Sequence, residues 1–206
     1  MIGTRHVLTA SHCISWNSDG SIGWATFTPG YYDGTGYVGE INVIHVYWWE
    51  KAAGRLTDEQ TAFDYVVGIL DQDLSGNVGY VGYRTYDDDW NDGAYWEYVG
   101  YPAELASGER PAYQGGCKIS SKHDFSIDES DDDGYLLGHY NEFTPGQSGG
   151  ASWGWWGDEV FPRVVGVGST IGDTVVKATG DENSDNEYGG GPALSALISY
   201  ARENWK

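Results

Sequence analysis

The amino-acid sequence predicts an all-β, antiparallel protein closed by one C-terminal α-helix. Three observations carry this expectation. Short runs rich in Val, Ile, Tyr and Thr recur along the chain, separated by clusters of Gly, Pro, Asp, Asn and Ser. The 206 residues include 31 glycines and 16 tyrosines, a usage that suits short strands joined by tight turns. Helical periodicity is convincing in one place, at the end. The length fits one large all-β domain or a pair of small barrels, with ample material for a buried core.

The elements follow in order. HVLTA (6–10), WATFT (24–28), INVIHVYW (41–48) and YVVGIL (65–70) read as strands in the first part of the chain. EYVGY (97–101), CKIS (117–120), YLLGHY (135–140) and RVVGVGST (163–170) read as strands in the second. Turn clusters interrupt them at 29–36, 73–77 and 181–191. The Asp-rich stretch DDDWND (87–92) reads as a connector between two halves. In PALSALISYAREN (192–204), Leu194, Leu197, Ile198 and Ala201 fall at i, i+3, i+4 and i+7 and mark one buried face. Pro192 stands at the helix start, where a missing N–H costs nothing. No fixed-period repeat or heptad is present.

Charge narrows the partners. Lys and Arg total 11 against 31 Asp and Glu, a net charge of −20. Such a surface repels phosphate backbones and anionic head groups, so neither nucleic acid nor a membrane is expected as partner. It attracts cationic substrates, within a screening length of about 8–10 Å. No apolar run approaches the roughly 20 residues that span a bilayer, and no signal peptide is visible. Of the two cysteines, Cys13 and Cys117, the sequence leaves three readings open: free thiols, one mutual disulfide, or bridges to cysteines outside the chain.

Three separate stretches supply the parts of a peptide-bond hydrolase: a nucleophile, a base, a group that orients the base, and donors for an oxyanion. Leu8-Thr9-Ala10-Ser11-His12-Cys13 runs a strand into a small-residue turn that presents a histidine. Phe63-Asp64-Tyr65-Val66-Val67 places an aspartate before an apolar strand. Thr144-Pro145-Gly146-Gln147-Ser148-Gly149-Gly150 surrounds a serine with glycines that let the backbone bend and aim N–H groups inward. Taken singly, each has an ordinary structural reading: a satisfied histidine, a turn aspartate, a glycine-rich loop.

Together, in the order His, Asp, Ser, the stretches resemble the motifs of the trypsin/chymotrypsin superfamily of serine proteases. The resemblance implies two six-stranded antiparallel β-barrels with a C-terminal helix, the first over 1–93 and the second over 94–206. It implies a secreted serine endopeptidase working through an acyl-enzyme intermediate. His12, Asp64 and Ser148 then form the catalytic triad, and the amides of Gly146 and Ser148 the oxyanion hole. Protein or peptide substrates and a protein inhibitor are the implied partners; no cofactor and no metal are expected. The alternative is a catalytically silent binding or structural protein on the same fold.

Residue 147 refines the branch. Trypsin-like digestive enzymes carry an aspartate there that pairs with a newly freed N-terminus; Gln147 has no charge to do so. Gly-Gln-Ser-Gly resembles the glutamyl-endopeptidase-like branch, and Gly100-Tyr101-Pro102, Gly116-Cys117-Lys118-Ile119, Tyr140, Thr144 and Trp153 agree with it. Glutamate-specific members place a histidine where this chain has Gly168, which speaks against glutamate preference. Glu142 falls where trypsin has its pocket aspartate, which implies either an Arg or Lys preference or, as often in the glutamyl branch, an acid that does not determine specificity. Gly168, Ser169, Thr170 and Gly172 are expected along the substrate cleft. Only eleven residues precede His12, fewer than in family members, so the first barrel is expected to be open at its N-terminal side.

Remaining features have structural readings. Asp87–Gly93 and the acidic cluster at 181–187 read as solvated turns rather than calcium loops. Ten tryptophans, including Trp48, Trp49, Trp153, Trp155 and Trp156, read first as packing and second as an aromatic platform for sugars or protein partners. His139 reads as structural.

Overall fold

The computed structural model describes residues 1–157, 159–172 and 186–205; the acidic residues 181–185 lie outside them. Among the described residues the first part of the chain forms a curled antiparallel sheet of four strands: β1 (His6–Thr9), β2 (Thr26–Phe27), β3 (Ile41–Trp48) and β4 (Val66–Leu70), in the order β1-β4-β3-β2. The strands β3 and β4 are long, β-branched runs, and every residue of β4 is buried. Between them stands a short helix, α1 (Asp58–Ala62). A capping box starts it: Thr57 Oγ1 accepts from the Gln60 amide and Gln60 Oε1 from the Thr57 amide, each at 3.2 Å. This turn delivers the chain into Phe63, Asp64 and β4.

The second sheet contains β5 (Gly82–Tyr83), β6 (Trp96–Gly100), β7 (Ala112–Cys117), β8 (Ser121–Phe125), β9 (Gly134–His139), β10 (Ala151–Gly154), β11 (Arg163–Thr170) and β12 (Asn186–Gly190). Its order is β7-β6-β10-β11-β12-β9-β8, with β5 pairing in parallel to β11. The helix α2 (Pro192–Asn204) follows β12. Leu194, Leu197, Ile198 and Ala201 are all buried, in one cluster with Phe63 and Tyr65 ahead of β4, Val67 and Ile69 of β4, and Val164 and Val167 of β11. The helix thus fastens the two sheets to each other, through apolar burial worth about 25 cal/mol per Å².

Among the described residues the first sheet has four strands, fewer than a full six-stranded barrel and in line with the open first barrel expected. One expectation shifts. The run at 117–120 is not a strand: β7 ends at Cys117 and β8 begins at Ser121. Asn141 takes up the backbone between them, accepting from the Lys118 amide and donating to the Lys118 carbonyl, both at 3.0 Å.

Candidate active site

Ser11–His12–Cys13 forms a single 3-10 turn at the end of β1. Ser11 is fully buried; its hydroxyl donates to the Glu50 carbonyl at 2.8 Å and accepts from the Ala52 amide at 3.0 Å. This anchors the turn and sets His12 beside Cys13, which lines the cleft. Asp64 is fully buried at the entrance to β4. Its Oδ1 accepts from the His12 amide at 2.8 Å, and its Oδ2 from His12 Nδ1 at 2.5 Å. With Nδ1–H donated to Asp64, the neutral ring leaves Nε2 as the proton acceptor. The same Oδ2 accepts from the Ser169 hydroxyl at 2.5 Å. Ser169, expected along the cleft, is thus a positioning residue for the aspartate, a contact spanning 105 positions that no local pattern announces.

The His12 pKa is raised from 6.5 to about 10. The hydrogen bond to Asp64 is the main cause and the contact with Cys13 the next, against the desolvation that lowers it. Cys13 Sγ lies 3.7 Å from His12 Nε2. Cys13 and Cys117 are free thiols, the first exposed in the cleft and the second buried in the core of the second sheet. No mutual disulfide joins them: Cys13 lies in the turn after β1 and Cys117 at the end of β7.

Across the cleft, the loop 144–150 is shaped by glycines in close quarters. Gly146 has φ +93° and Gly149 φ +83°. A Cβ on Gly146 would stand 2.6 Å from the Tyr101 carbonyl, on Gly149 2.2 Å from Thr9 Oγ1, and on Gly150 2.3 Å from Tyr98 Oη. Gln147 is buried, and its Oε1 accepts from the Thr144 amide at 2.7 Å, closing the loop on itself. The Tyr98 hydroxyl donates to the Gln147 carbonyl from beneath. The amides of Gln147, Gly149 and Gly150 are spent on backbone carbonyls, whereas those of Gly146 and Ser148 have no acceptor among the described residues. Ser148 Oγ donates to the Ser169 carbonyl at 3.3 Å and makes no hydrogen bond to His12.

A cleft of about 490 Å³ runs between the two sheets, lined by Cys13, Tyr101, Gly146 and Ser148 and, deeper, by apolar residues of the first sheet such as Val46 and Val66. Glu142 is exposed; its carbonyl, not its carboxylate, is engaged, by Gln114 Nε2 at 2.5 Å. Gly168 is closed in: a Cβ there would meet Tyr98 Oη at 2.6 Å and Phe143 Cε2 at 2.7 Å. Thr170 is buried and donates to Glu187 Oε2 at 2.7 Å, and Gly172 is buried at the edge of the described segment. His139 is wholly buried, stacked on Tyr188 with ring centroids 3.8 Å apart, and burial lowers its pKa to about 3.

No protein-family model matches the chain. A glutamyl endopeptidase of Bacillus licheniformis is 31% identical over 128 residues, which cover 60% of this chain and 38% of that relative. The match therefore spans well under half of the relative's length. Among solved structures, a Glu endopeptidase in complex with MPD superposes with a TM-score of 0.68 at 21% identity, covering 98% of this chain and 83% of that one. The protease Anisep from Arthrobacter nicotinovorans gives 0.63 at 18% identity, with 97% and 84% coverage. The chain has the trypsin/chymotrypsin-like serine protease fold, and glutamyl endopeptidases stand among the proteins it is similar to.

Proposed function

We propose that the protein is a secreted serine endopeptidase acting on protein or peptide substrates through an acyl-enzyme. One arrangement supports this most: a buried aspartate orienting His12 opposite a serine whose loop leaves two backbone amides unspent. Ser148 Oγ turns from the Ser169 carbonyl toward His12 Nε2, a side-chain rotation within the open cleft. Apo sites often hold such bonds long or broken until substrate arrives. Oγ attacks the scissile carbonyl carbon, and its proton passes to Nε2. The oxyanion sits toward the amides of Gly146 and Ser148. The C–N bond breaks as Nε2 returns the proton to the leaving amine. Water then attacks the Ser148 ester; Nε2 takes its proton and gives one back to Oγ as the acid leaves. Asp64 keeps its charge throughout and stabilises the imidazolium.

The closed surroundings of Gly168 support a side-chain preference other than one read by a histidine at that position. Exposure of Glu142 supports a non-determining role for its carboxylate. The test is intact mass after treatment with a fluorophosphonate, which loses fluoride as it bonds to an activated serine. One adduct on the wild type and none on Ser148→Ala is expected. Absence of an adduct on folded wild-type protein would replace the enzyme with a silent binding protein on the same fold.

A further inference from the structure

At the far end of β10, beyond the loop that carries Ser148, the second sheet bears a cluster that the proposed reaction does not use. Trp90, Tyr95, Trp96, Trp155 and Trp156, with Gly154 and Gly157 between them, line a cavity of about 230 Å³. None of these residues lines the cleft at Ser148. Three indoles buttress one another edge to face or tilted: Trp90 on Trp156 at 5.2 Å between centroids, Trp96 on Trp156 at 5.7 Å, Trp90 on Trp96 at 5.8 Å. Tyr95 and Trp155 are 61% and 55% exposed and form the mouth. Gly154 lets the strand lie against the indole: a Cβ there would press on Trp96 at 3.0 Å.

The chemistry of the lining selects the ligand. Aromatic faces carry negative potential and attract cations. Among the described residues the lining has no carboxylate, amide or aliphatic hydroxyl side chain. The Tyr95 hydroxyl at the mouth is the one side-chain oxygen acceptor a primary ammonium would find among the described lining residues, too few for its three N–H groups, whereas a quaternary ammonium has no N–H to satisfy. The surroundings reinforce the sign. Trp90 stands between Asp87, Asp88, Asp89 and Asp92, all exposed, on a chain of net charge −20. One cation already uses this surface: the Arg84 guanidinium lies 4.7 Å from the Trp156 ring centroid, with its charge met by Glu159 at 3.2 Å. The Trp96 indole N–H, buried without an acceptor, is a donor that suits a sugar hydroxyl and not a cation, which makes a sugar the competing ligand in the test.

We infer that this aromatic cavity is a binding site for a small quaternary ammonium group, separate from the cleft at Ser148. Choline chloride is the probe, titrated at constant ionic strength against the full chain, with tryptophan fluorescence and calorimetry as readouts. Its neutral carbon isostere, 3,3-dimethylbutan-1-ol, is the control for mere apolar filling. Saturable choline binding is expected, at least about tenfold tighter than the isostere, since a desolvated cation–π contact is worth up to about 2 kcal/mol. Trp156→Ala should weaken it by a further tenfold or so. Trp155→Ala, at an exposed position, should weaken it severalfold without disturbing the fold, and it carries the test if Trp156→Ala does not fold. Equal affinity for choline and the isostere, no saturation, or choline binding unchanged in Trp155→Ala would overturn the assignment. Methyl glucoside binding in place of choline would overturn it in favour of a sugar site.

Discussion

On the His12 side of the cleft, side chains do the holding: three hydrogen bonds converge on the buried carboxylate of Asp64, from the His12 amide, the His12 ring and the Ser169 hydroxyl. On the Ser148 side, backbone does it: glycines at 146, 149 and 150 press against Tyr101, Thr9 and Tyr98 with no space for another carbon. The first half can lose a group and keep its shape. The second cannot gain an atom and keep its shape. Loss of function therefore ought to come in two kinds, one with the fold intact and one without.

The largest effect expected is on the side-chain half. Asp64→Asn should lower kcat/KM by about 10⁴-fold, as loss of the orienting carboxylate does in such triads, while circular dichroism stays that of the wild type. It should also move the pH profile. Because Asp64 raises the His12 pKa, the base form grows as pH climbs, so wild-type kcat/KM should rise on the alkaline side. Without the carboxylate the midpoint falls toward the ordinary imidazole value near 6.5. The sign for stability is the reverse: a raised His12 pKa stabilises the fold fully below about 6.5, and that contribution fades as pH passes about 10. An unmoved midpoint in Asp64→Asn would contradict the pairing as the cause.

Gly150→Ala should sharpen the contrast from the other half. Its new methyl collides with Tyr98 Oη and the Val99 carbonyl, so thermal unfolding should report a loss of about 1–3 kcal/mol together with the loss of activity. Activity lost at unchanged stability would put the two halves on the same footing. The smallest effect belongs to Cys13→Ala. The thiol contact raises the His12 pKa less than Asp64 does, so the alkaline midpoint should slip downward slightly, with kcat changed no more than severalfold.

What the sequence made legible follows the same division. The strands β3, β4 and β11 stand out because Val, Ile and Thr dominate them. The strands β7 and β12 stay hidden, because AYQGGC and NEYGG spend positions on glycine. In β12 that glycine is required by packing: a Cβ on Gly189 would meet the Thr61 carbonyl at 2.6 Å, and one on Gly190 the Val165 carbonyl at 2.7 Å. The strand β8, SKHDF, is charged and lies at the end of its sheet, where alternation is weak. The three motif residues of the site are visible as strings. The Ser169 bond to Asp64 is not, because it exists only once β11 and β4 are brought together. The Thr57–Gln60 capping box, which marks the turn that delivers Asp64, went unread, although Thr-x-x-Gln ahead of the aspartate is its local signal.

The closure of Gln147 onto Thr144 has a consequence for the working range of the site. Neither an amide side chain nor a peptide N–H gains or loses a proton between strong acid and strong alkali. A clasp made from an aspartate and a terminal ammonium would slacken as the ammonium is neutralised. The Gln147–Thr144 clasp has no such weak point, and burial holds the Tyr98 hydroxyl beneath it protonated well past its usual range. Alkaline tolerance then rests with the stability of the fold rather than with the clasp of this loop.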